Sequence, residues 1–353
     1  MEQEDLLQKP LVAVVILSWN GKTFLEKFLP SVLASSYLPL DIYIADNAST
    51  DDTISFLEKN YAHIKIIRIQ KNEGFAKGYN IALRQVHADY LILLNQDVEV
   101  TESWIEPLVE VMESDPYIAA CQPKIKSFNN KNYFEHAGAA GGYIDLFGYP
   151  FCRGRIFDHV EEDVNQFEQP EEIFWASGAA MCVRSDLFKR YKGFDDDFFA
   201  HMEEIDLCWR WKRAGYKIKY VPQSIVYHVG GGSLNKESPK KIYLNFRNNL
   251  YMNFKNYELY EVVWKLPFRF FILDFIAFIK AIFEGKWGEA GAILRADVRF
   301  LISIPFLLRK RVDTFFIYWK HRIEPSRVKQ KGYYRKSIVW KYFIKKKKTF
   351  EEL

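Results

Sequence analysis

The chain has 353 residues, of which 49% are hydrophobic and 27% are charged, and its formal net charge is +4. This composition excludes a disordered chain, and the length fits either about two domains or one large α/β domain. The four cysteines are widely spaced without a CxxC pair, which argues against a disulfide framework or a zinc ribbon and indicates a reducing compartment.

The two ends of the chain differ in charge. Residues 1–10 form an acidic, polar lead that is neither a signal peptide nor a transit peptide, so we expect a cytoplasmic protein. Residues 301–353 hold 15 Lys or Arg against four Asp or Glu. A basic tail on an acidic body predicts contact with a polyanion, either an anionic membrane surface or nucleic acid.

Short apolar strands alternate with amphipathic helices over the first hundred residues. We expect the strands at 11–17, 42–45, 64–69 and 90–94, and the helices at 22–34, about 50–58 and 76–86. This alternation predicts a doubly wound, Rossmann-like and mostly parallel α/β sheet. Ligands of such sheets bind at the carboxyl ends of the strands.

The pattern after residue 100 is less regular. A helix and a return strand are expected over 101–123, and loops or short strands that shape a pocket over 124–175. A helix at 206–213 ends at Gly215, two short strands follow at 218–221 and 225–227, and the chain after Gly232 is predicted to be helical.

Polar residues follow three of the predicted strands. Asp46, Asn72 and Asp97 should therefore meet at one edge of the sheet. Asp46 can accept hydrogen bonds from a ribose or a pyrimidine base, although by itself it is better explained as a turn former. Asp97 can hold a divalent cation against a diphosphate, or it can belong to an ordinary polar turn.

Three acids open the helix near residue 206, and a histidine follows the strand near 227. Glu203, Glu204 and Asp206 suit the positive end of a helix, but the apolar residues before them also favour a desolvated general base. His228 can contact a metal or a phosphate, or be structural. The chain has neither GxxxxGK[ST] nor a GxGxxG after its first strand, which argues against a P-loop NTPase and a dinucleotide dehydrogenase.

Seven segments occur in an order that resembles a family 2 glycosyltransferase with the GT-A fold, of the rhamnosyltransferase-like branch. The similarity covers about residues 11–255, and the segments are Val14 to Gly21, Ala45 to Asp51, Asn72 to Asn80, Leu94 to Val98, Ser177 to Met181, Gly193 to Asp195 and Glu203 to Arg210. The resemblance implies an inverting enzyme that uses a nucleotide-sugar and a divalent cation, Mg²⁺ or Mn²⁺.

The resemblance also implies roles for individual residues. The implied general base is Glu204, with Glu203 as the alternative and Asp206 third, and the implied metal ligands are Asp97 and His228. Asn95 stands where many relatives carry the first Asp of a DxD motif, and Glu204 stands where Asp is usual. The implied donor-binding residues are Ser18, Asn20, Asp46, Asn47, Asn72, Gly74, Asn80, Asn95 and Asp97, and the implied acceptor-binding residues are Trp175, Ser177 and Gly178.

From this resemblance we expect a nucleotide-sugar-binding half at 11–123, an acceptor-binding and catalytic half at 124–255, and a helical, basic tail at 256–353. The expected reaction moves a sugar from a dTDP- or UDP-sugar, with dTDP-rhamnose as one candidate, onto a glycan or lipid-linked glycan in surface polysaccharide synthesis. Two alternatives stay open: a catalytically degenerate nucleotide-sugar-binding scaffold, and a sugar-1-phosphate nucleotidyltransferase.

The tail has amphipathic stretches rather than a clean membrane span. On a helical wheel of residues 262–283 and their flank, Lys265, Arg269, Lys280 and Glu284 share one face, which predicts a helix lying in a membrane interface with that face in water. A second stretch covers 292–308, and the end of the chain combines aromatic residues with the run Lys345–Lys348. We expect a peripheral protein on the inner face of the plasma membrane that binds no nucleic acid. Packing of the helices on the catalytic domain or on a second subunit is the alternative, and a homo-oligomer remains open.

Overall fold

The computed structural model describes residues 9–230, 238–323 and 331–353. The first eight residues of the polar lead and residues 231–233 of the glycine-rich segment lie outside the described residues. The strands in chain order are β1 (Val12–Ser18), β2 (Leu40–Asp46), β3 (Lys65–Arg68), β4 (Tyr90–Asn95), β5 (Val98–Val100), β6 (Ile118–Ser127), β7 (Gly142–Asp145), β8 (Pro150–Cys152), β9 (Arg155–Ile156), β10 (His159–Val160), β11 (Glu171–Ile173), β12 (Ala180–Arg184), β13 (Lys217–His228) and β14 (Tyr333–Tyr334).

The helices separate these strands in the first half of the chain and dominate the last third. They are α1 (Lys22–Leu33), α2 (Thr53–Asn60), α3 (Gly74–Leu83), α4 (Glu106–Ser114), α5 (Ser185–Arg190), α6 (Glu203–Arg213), α7 (Pro239–Asn256), α8 (Leu259–Phe268), α9 (Phe275–Phe283) and α10 (Trp287–His321). A π-helical segment, Arg269–Asp274, joins α8 to α9, and shorter helical turns lie at Asp196–Phe198, Trp340–Ile344 and Phe350–Glu352.

Nine strands of the described residues form the main sheet, in the order β11-β13-β6-β12-β4-β1-β2-β3, with β5 paired to β13. The strands β4, β1, β2 and β3 are parallel, as the alternation of strands and helices predicted. Antiparallel β12 enters between β4 and β6, so the second half of the sheet is mixed. The α/β prediction is therefore confirmed. Parallel pairing is limited to the four strands β4, β1, β2 and β3 on one side of the sheet and to the pair β6–β13.

The second half differs from the expected organisation in two details. The two short strands expected after Gly215 are one long strand, β13, with a register shift between Val221 and Ile225. The boundary expected between residues 123 and 124 lies inside β6, since that strand runs unbroken through it. Residues 142–160 agree with the expected loops or short strands, because their strands β7 to β10 join β14 in a small sheet of order β10-β9-β8-β7-β14.

Apolar side chains cover both faces of the main sheet. Val12, Val14 and Ile44 pack on one face with α1, whereas Ala13 and Val15 pack on the other face with α3. All of β1 except its sixth residue is buried, because it lies between β2 and β4 with helices on both sides. This packing fixes the carboxyl ends of β1, β2 and β4 side by side.

The first part of the helical tail buries two charged residues of the predicted face, which contradicts the expected orientation there. Lys265 and Arg269 are each only 2% exposed, and Arg269 Nε donates to Asp274 Oδ1 at 2.9 Å. Phe271 is 67% exposed and Phe283 is 87% exposed. The helical wheel is therefore right only in part: Lys265 and Arg269 are buried against the protein, whereas Lys280 and Glu284 of the same predicted face are exposed.

The last residues of the chain return to the body of the protein. The strand β14 pairs with β7 in parallel, and Ile338 is completely buried. The Ile338 N–H donates to the buried carboxylate of Asp145 at 2.8 Å. Within the described residues, no helix is both long and apolar enough to cross a membrane.

Candidate active site

A cavity of about 490 Å³ lies at the carboxyl ends of β1 and β4, and its opposite wall is the start of α6. Most of the residues singled out from the sequence line it. They are Ser18, Asn47, Asn72, Gly74, Asn95, Asp97, Ser177, Gly178, Glu203, Glu204 and His228.

A glutamine joins the ends of β1 and β4 at the floor of the cavity. Ser18 Oγ donates to Gln96 Oε1 at 2.8 Å, and the Trp19 N–H donates to the same oxygen at 3.2 Å. A Cβ at Gly21 would press on the side chains of Gln96 and Ser18, so a larger residue there would displace this hydrogen-bonded pair. Gln96 was not selected from the sequence, although it lies between Asn95 and Asp97.

Two asparagines build the loop beside the cavity. Asn47 Nδ2 donates to Asn72 Oδ1 at 3.2 Å and to the Gly74 carbonyl at 3.0 Å. Asn72 Oδ1 also accepts the Gly74 N–H at 3.0 Å. Gly74 has a φ of +78°, and an added Cβ would lie 2.5 Å from the Phe199 carbonyl oxygen. The loop therefore needs glycine there, and it is held against the segment that precedes α6.

His228 lies between two carboxylates. Its Nε2 is 3.2 Å from Asp97 Oδ1, and its Nδ1 is 3.0 Å from Glu135 Oε2. Burial lowers the pKa of His228, but the hydrogen bonds to Asp97 and Glu135 outweigh burial and raise it to about 10. For Glu135, burial disfavours the charged form and raises the pKa. The hydrogen bond from His228 outweighs burial and lowers the pKa of Glu135 to about 2. The three side chains thus form an ionised chain at the cavity wall.

The segment before α6 has an unusual backbone. Phe199, His201 and Met202 have φ values of 63°, 72° and 74°, a region that side chains other than glycine rarely adopt. Backbone strain of this kind persists only where the surrounding structure enforces it, and it is concentrated at functional sites. Here it turns the chain so that α6 begins at the cavity with Glu203 and Glu204.

Glu203 is buried and Glu204 is partly buried at the start of α6, where both line the cavity. Burial raises the pKa of Glu204 to about 7, although N–H groups of Glu204, Ile205 and Gly178 favour its charged form. Burial, together with the charge of Glu204, raises the pKa of Glu203 further. Glu203 is therefore the harder of the two to ionise, whereas Glu204 is poised to gain or lose a proton near neutral pH.

His201 also lines the cavity and was not selected from the sequence. Burial, followed by the charge of Lys241, lowers its pKa to about 4, so the ring is neutral. Its Nε2 is buried with no hydrogen-bond partner among the described residues. A neutral imidazole with an unused nitrogen can bind a hydroxyl group of a sugar.

The structure corrects the assignment of Asp206 as a third candidate base. Its side chain has no exposure to solvent, and it accepts hydrogen bonds from Arg210 Nε at 2.9 Å and Lys255 Nζ at 2.9 Å. Asn256 Nδ2 donates to it at 2.8 Å. Asp206 points away from the cavity, since helix geometry places it on another face from Glu204, and its role is to hold α7 against α6.

Asn80 and Trp175 are likewise not part of the cavity wall. Asn80 Nδ2 donates to the Phe194 carbonyl at 2.8 Å, and its Oδ1 accepts the Phe194 N–H at 3.0 Å. Trp175 Nε1 donates to the Tyr143 carbonyl at 2.9 Å. Both side chains are buried and satisfied, so they stabilise the loops around the cavity rather than bind donor or acceptor directly.

Asn20 and Asp46 lie beside the cavity without lining it. Asn20 Oδ1 accepts the Thr50 N–H at 2.7 Å. Asp46 is 5% exposed, and the Ser49 N–H lies 3.3 Å from both of its oxygens. In this structure Asp46 closes the turn after β2, which is the alternative that the sequence left open.

A divalent cation fits the cavity only in part. Asp97 supplies one carboxylate, which is a hard oxygen ligand. Both ring nitrogens of His228 face carboxylates in this arrangement, and its role as a metal ligand stays a prediction. Among the described residues no group of three or more His, Cys, Asp or Glu side chains could hold a metal ion.

A profile of known families matches residues 13–192, which is half of the chain, and its description is "Glycosyl transferase family 2". The chain belongs to glycosyl transferase family 2. Sugar transfer is therefore its activity. The match covers the strand ends that form one wall of the cavity.

The family includes relatives that cover most of this chain. The N-acetylglucosaminyl-diphospho-decaprenol L-rhamnosyltransferase of Mycobacterium tuberculosis is 26% identical over 64% of this chain and 78% of its own length. A glycosyltransferase of Haemophilus influenzae described as uncharacterized is 32% identical over 66% of this chain and 72% of its own length.

A solved structure with a similar fold is the mannosyltransferase PcManGT from Pyrobaculum calidifontis in complex with GDP-Man and Mn²⁺. It superimposes with a TM-score of 0.51 and 13% identity over 92% of this chain and 94% of that one. At this identity the likeness concerns the fold alone, and it agrees with the predicted GT-A architecture.

Proposed function

We propose that the chain is an inverting glycosyltransferase that moves a sugar from a nucleoside diphosphate-sugar onto a glycan or lipid-linked glycan during surface polysaccharide synthesis. The proposed donor is a dTDP- or UDP-sugar, and dTDP-rhamnose is the first candidate, since the similar M. tuberculosis protein is named as a rhamnosyltransferase. The same name, which includes diphospho-decaprenol, supports a lipid-linked acceptor.

One observation carries the proposal: a single cavity contains both Asp97, at the end of β4, and Glu204, at the start of α6. Asp97 stands beside the strand ends where an α/β sheet binds its ligand. Glu204 faces it with a pKa near neutrality. The cavity thus offers a carboxylate that can hold a cation against the donor diphosphate, and a base for the acceptor hydroxyl.

In the proposed reaction an acceptor hydroxyl attacks C1 of the donor sugar from the side opposite to the diphosphate. The bond from C1 to the acceptor oxygen forms while the bond from C1 to the phosphate oxygen breaks, which inverts the configuration. Glu204 takes the hydroxyl proton, and the nucleoside diphosphate leaves with the bonding electrons. Neutral His201 can orient a sugar hydroxyl, and Glu203 is the weaker candidate base because burial and the charge of Glu204 raise its pKa.

We propose Mg²⁺ or Mn²⁺ as the cofactor. A bound cation would neutralise charge on the departing diphosphate. Asp97 would hold it, together with donor phosphate oxygens and water, because such cations often use one carboxylate and substrate phosphates. Asn95 leaves the protein with fewer charges there than a second Asp would provide.

The first experiment measures the change in melting temperature of the purified protein with UDP-, dTDP- and GDP-sugars, with and without Mg²⁺ or Mn²⁺. A cation-dependent rise with one pyrimidine nucleotide-sugar would support the donor site. Transfer is then measured with that donor for the wild type, Asp97→Ala and Glu204→Ala. Near-normal turnover in both folded variants would refute the site.

A catalytically degenerate scaffold is the second candidate, favoured by Asn95 and by Glu in place of the usual Asp at 204. It predicts a melting-temperature shift with a nucleotide-sugar but no transfer and no donor hydrolysis with any acceptor. Family membership gives no support to a sugar-1-phosphate nucleotidyltransferase.

We also propose that the enzyme works in the cytoplasm, at the inner face of the membrane. All four cysteines are free, which fits a reducing compartment. The outward side chains of α8, the π-helical segment and α9 include Val263, Phe271 and Ile276, each more than half exposed. A large apolar surface of this kind is typical of an interaction site, and the neighbouring lysines suit an anionic leaflet.

Vesicle flotation tests this location. Phe271→Glu and Ile276→Glu should each weaken binding to vesicles that contain phosphatidylglycerol, and the double variant should abolish it. Leu38→Glu is the matched control, because Leu38 is 56% exposed but lies in the loop before β2. Equal flotation of all variants, or none for the wild type, would refute the membrane location.

A further inference from the structure

A second cavity, of about 660 Å³, lies between the first turn of α7 and the middle of α10. Lys240 lines this cavity and also lines the active-site cavity. The two cavities therefore adjoin at Lys240. No part of the proposed transfer chemistry uses the second cavity.

The α10 side of this cavity has two adjacent rows of side chains. Leu294, Val298 and Ile302 form an apolar row, and they are 53%, 48% and 66% exposed. Arg295 and Arg299, one helical turn apart, form a cationic row beside it. An apolar row next to a cationic row matches a ligand with an apolar chain and an anionic group.

The cations of this cavity have no acidic partner in the described part of the chain. Among the described residues no carboxylate forms an ion pair with Lys240, Arg295 or Arg299, whereas Arg269 and Lys310 in the same region are paired with aspartates. Arg295 Nε donates only to a carbonyl of its own helix, at 3.1 Å, and Lys240 Nζ lies 4.9 Å from the centre of the Phe199 ring.

The α7 side adds polar character at the same point. Tyr243 lines the cavity one turn after Lys240, and its hydroxyl can donate a hydrogen bond. The cavity also borders the amino-terminal turn of an 18-residue helix, whose dipole favours an anion. Guanidinium groups bind phosphate oxygens through paired hydrogen bonds, so two arginines on one face suit a phosphate or diphosphate.

We propose that this second cavity binds the phosphate-bearing lipid end of the acceptor. The phosphate oxygens lie on Lys240, Arg295 and Arg299, and the first units of the lipid chain lie along Leu294, Val298 and Ile302. The acceptor sugar then reaches past Lys240 towards Glu204. This inference rests on the proposed lipid-linked acceptor and adds the residues that would distinguish it from a free glycan.

The first test is equilibrium binding of farnesyl diphosphate, a soluble isoprenoid diphosphate, with saturating nucleoside diphosphate present to fill the donor site. The double variant Arg295→Ala/Arg299→Ala should bind about tenfold more weakly or worse, since it loses two charge-assisted contacts. Arg309→Ala is the matched control, because Arg309 is an exposed arginine of α10 outside the cavity, and it should bind as the wild type does.

Three outcomes of this test would overturn the proposal. The first is equal affinity of the double variant and the wild type. The second is equal binding of farnesol, which has no phosphate. The third is a double variant that loses binding to phosphatidylglycerol vesicles but keeps its affinity for farnesyl diphosphate, because the arginines would then contact bilayer headgroups instead of the acceptor.

Kinetics separates this proposal from the proposed function. Two acceptors carry the same sugar, one on a lipid diphosphate and one as a phosphate-free alkyl glycoside. The double variant should raise KM for the lipid diphosphate acceptor by about tenfold or more. It should leave kcat, the donor KM and the alkyl glycoside KM unchanged. A wild type inactive with both acceptors refutes the proposed function, whereas an active wild type with an unchanged KM in the double variant refutes only the lipid site.

Discussion

Replacing Glu204 with Gln should remove most transfer activity, whereas the same replacement at Glu203 should leave most of it. The two carboxyl groups are neighbours in one cavity, but burial and mutual charge separate their pKa values. Glu204, with a pKa of about 7, is half ionised at neutral pH and can accept a proton. Burial and the charge of Glu204 raise the pKa of Glu203, so Glu203 is less available as a base.

The size of the effect follows from the role of a general base. Loss of the base at Glu204 should lower kcat by about 10²–10⁴-fold. Because only the ionised form is active, wild-type kcat/KM should level off above about pH 7 and fall about tenfold per pH unit below it. Glu203→Gln should keep this profile, since a neutral carboxyl carries no charge that could shift the pKa of Glu204.

The assay follows release of nucleoside diphosphate at saturating donor from about pH 5 to 9, with melting temperature as the control for folding. The glutamine variants differ from wild type by one atom at each site, so changes in packing are small. A Glu204→Gln enzyme within tenfold of the wild type, or a larger loss in Glu203→Gln, would refute the assignment. A flat profile between pH 5 and 7 would refute the raised pKa.

Three further changes test the structure around the site. Arg269→Ala should lower the free energy of unfolding in urea by about 3–5 kcal/mol, because Asp274 is left buried and unpaired, and Arg269→Met/Asp274→Leu should recover most of the loss. Gly74→Ala should cost about 1–3 kcal/mol and weaken donor binding, since its φ is positive and its Cβ would press on Phe199; an unchanged melting temperature would contradict this. Asp97→Asn should lower kcat/KM by about 10²-fold and weaken activation by Mn²⁺, and equal activation in both enzymes would exclude Asp97 as the ligand.

The sequence predicted best those features that depend on local pattern. Continuous apolar runs identified β1 and β4, because a strand buried on both faces needs them. Asp46, Asn72 and Asp97 were predicted to meet because parallel strands end at one edge; Asn72 and Asp97 do line one cavity, whereas Asp46 lies beside it. The helix that begins with Glu203 and Glu204 was recognised from its acids and its period.

Features that depend on distant contacts could not be read from the sequence. Glu135 binds His228 across 93 positions of chain, and no local pattern marks it. Asp206 was included among the candidate bases because the sequence does not show its partner. That partner, Lys255, lies 49 positions away. A helical wheel shows which residues share a face, but the direction of that face depends on what packs against it. In the tail, Arg269 Nη1 donates to the Phe147 carbonyl of the body at 3.2 Å, and such contacts fix that direction.

The return of the chain end through β14 has a mechanical consequence. The Lys345–Lys348 run follows a segment that Ile338 and Asp145 attach to the body of the protein. These lysines are therefore held close to that body and are not carried by a long flexible linker. A surface bound by these lysines would lie at one fixed distance from the enzyme and at one fixed angle to it. The opening of the catalytic cavity would then face that surface in a single orientation. A longer segment between β14 and the lysines would allow several orientations without altering a catalytic residue.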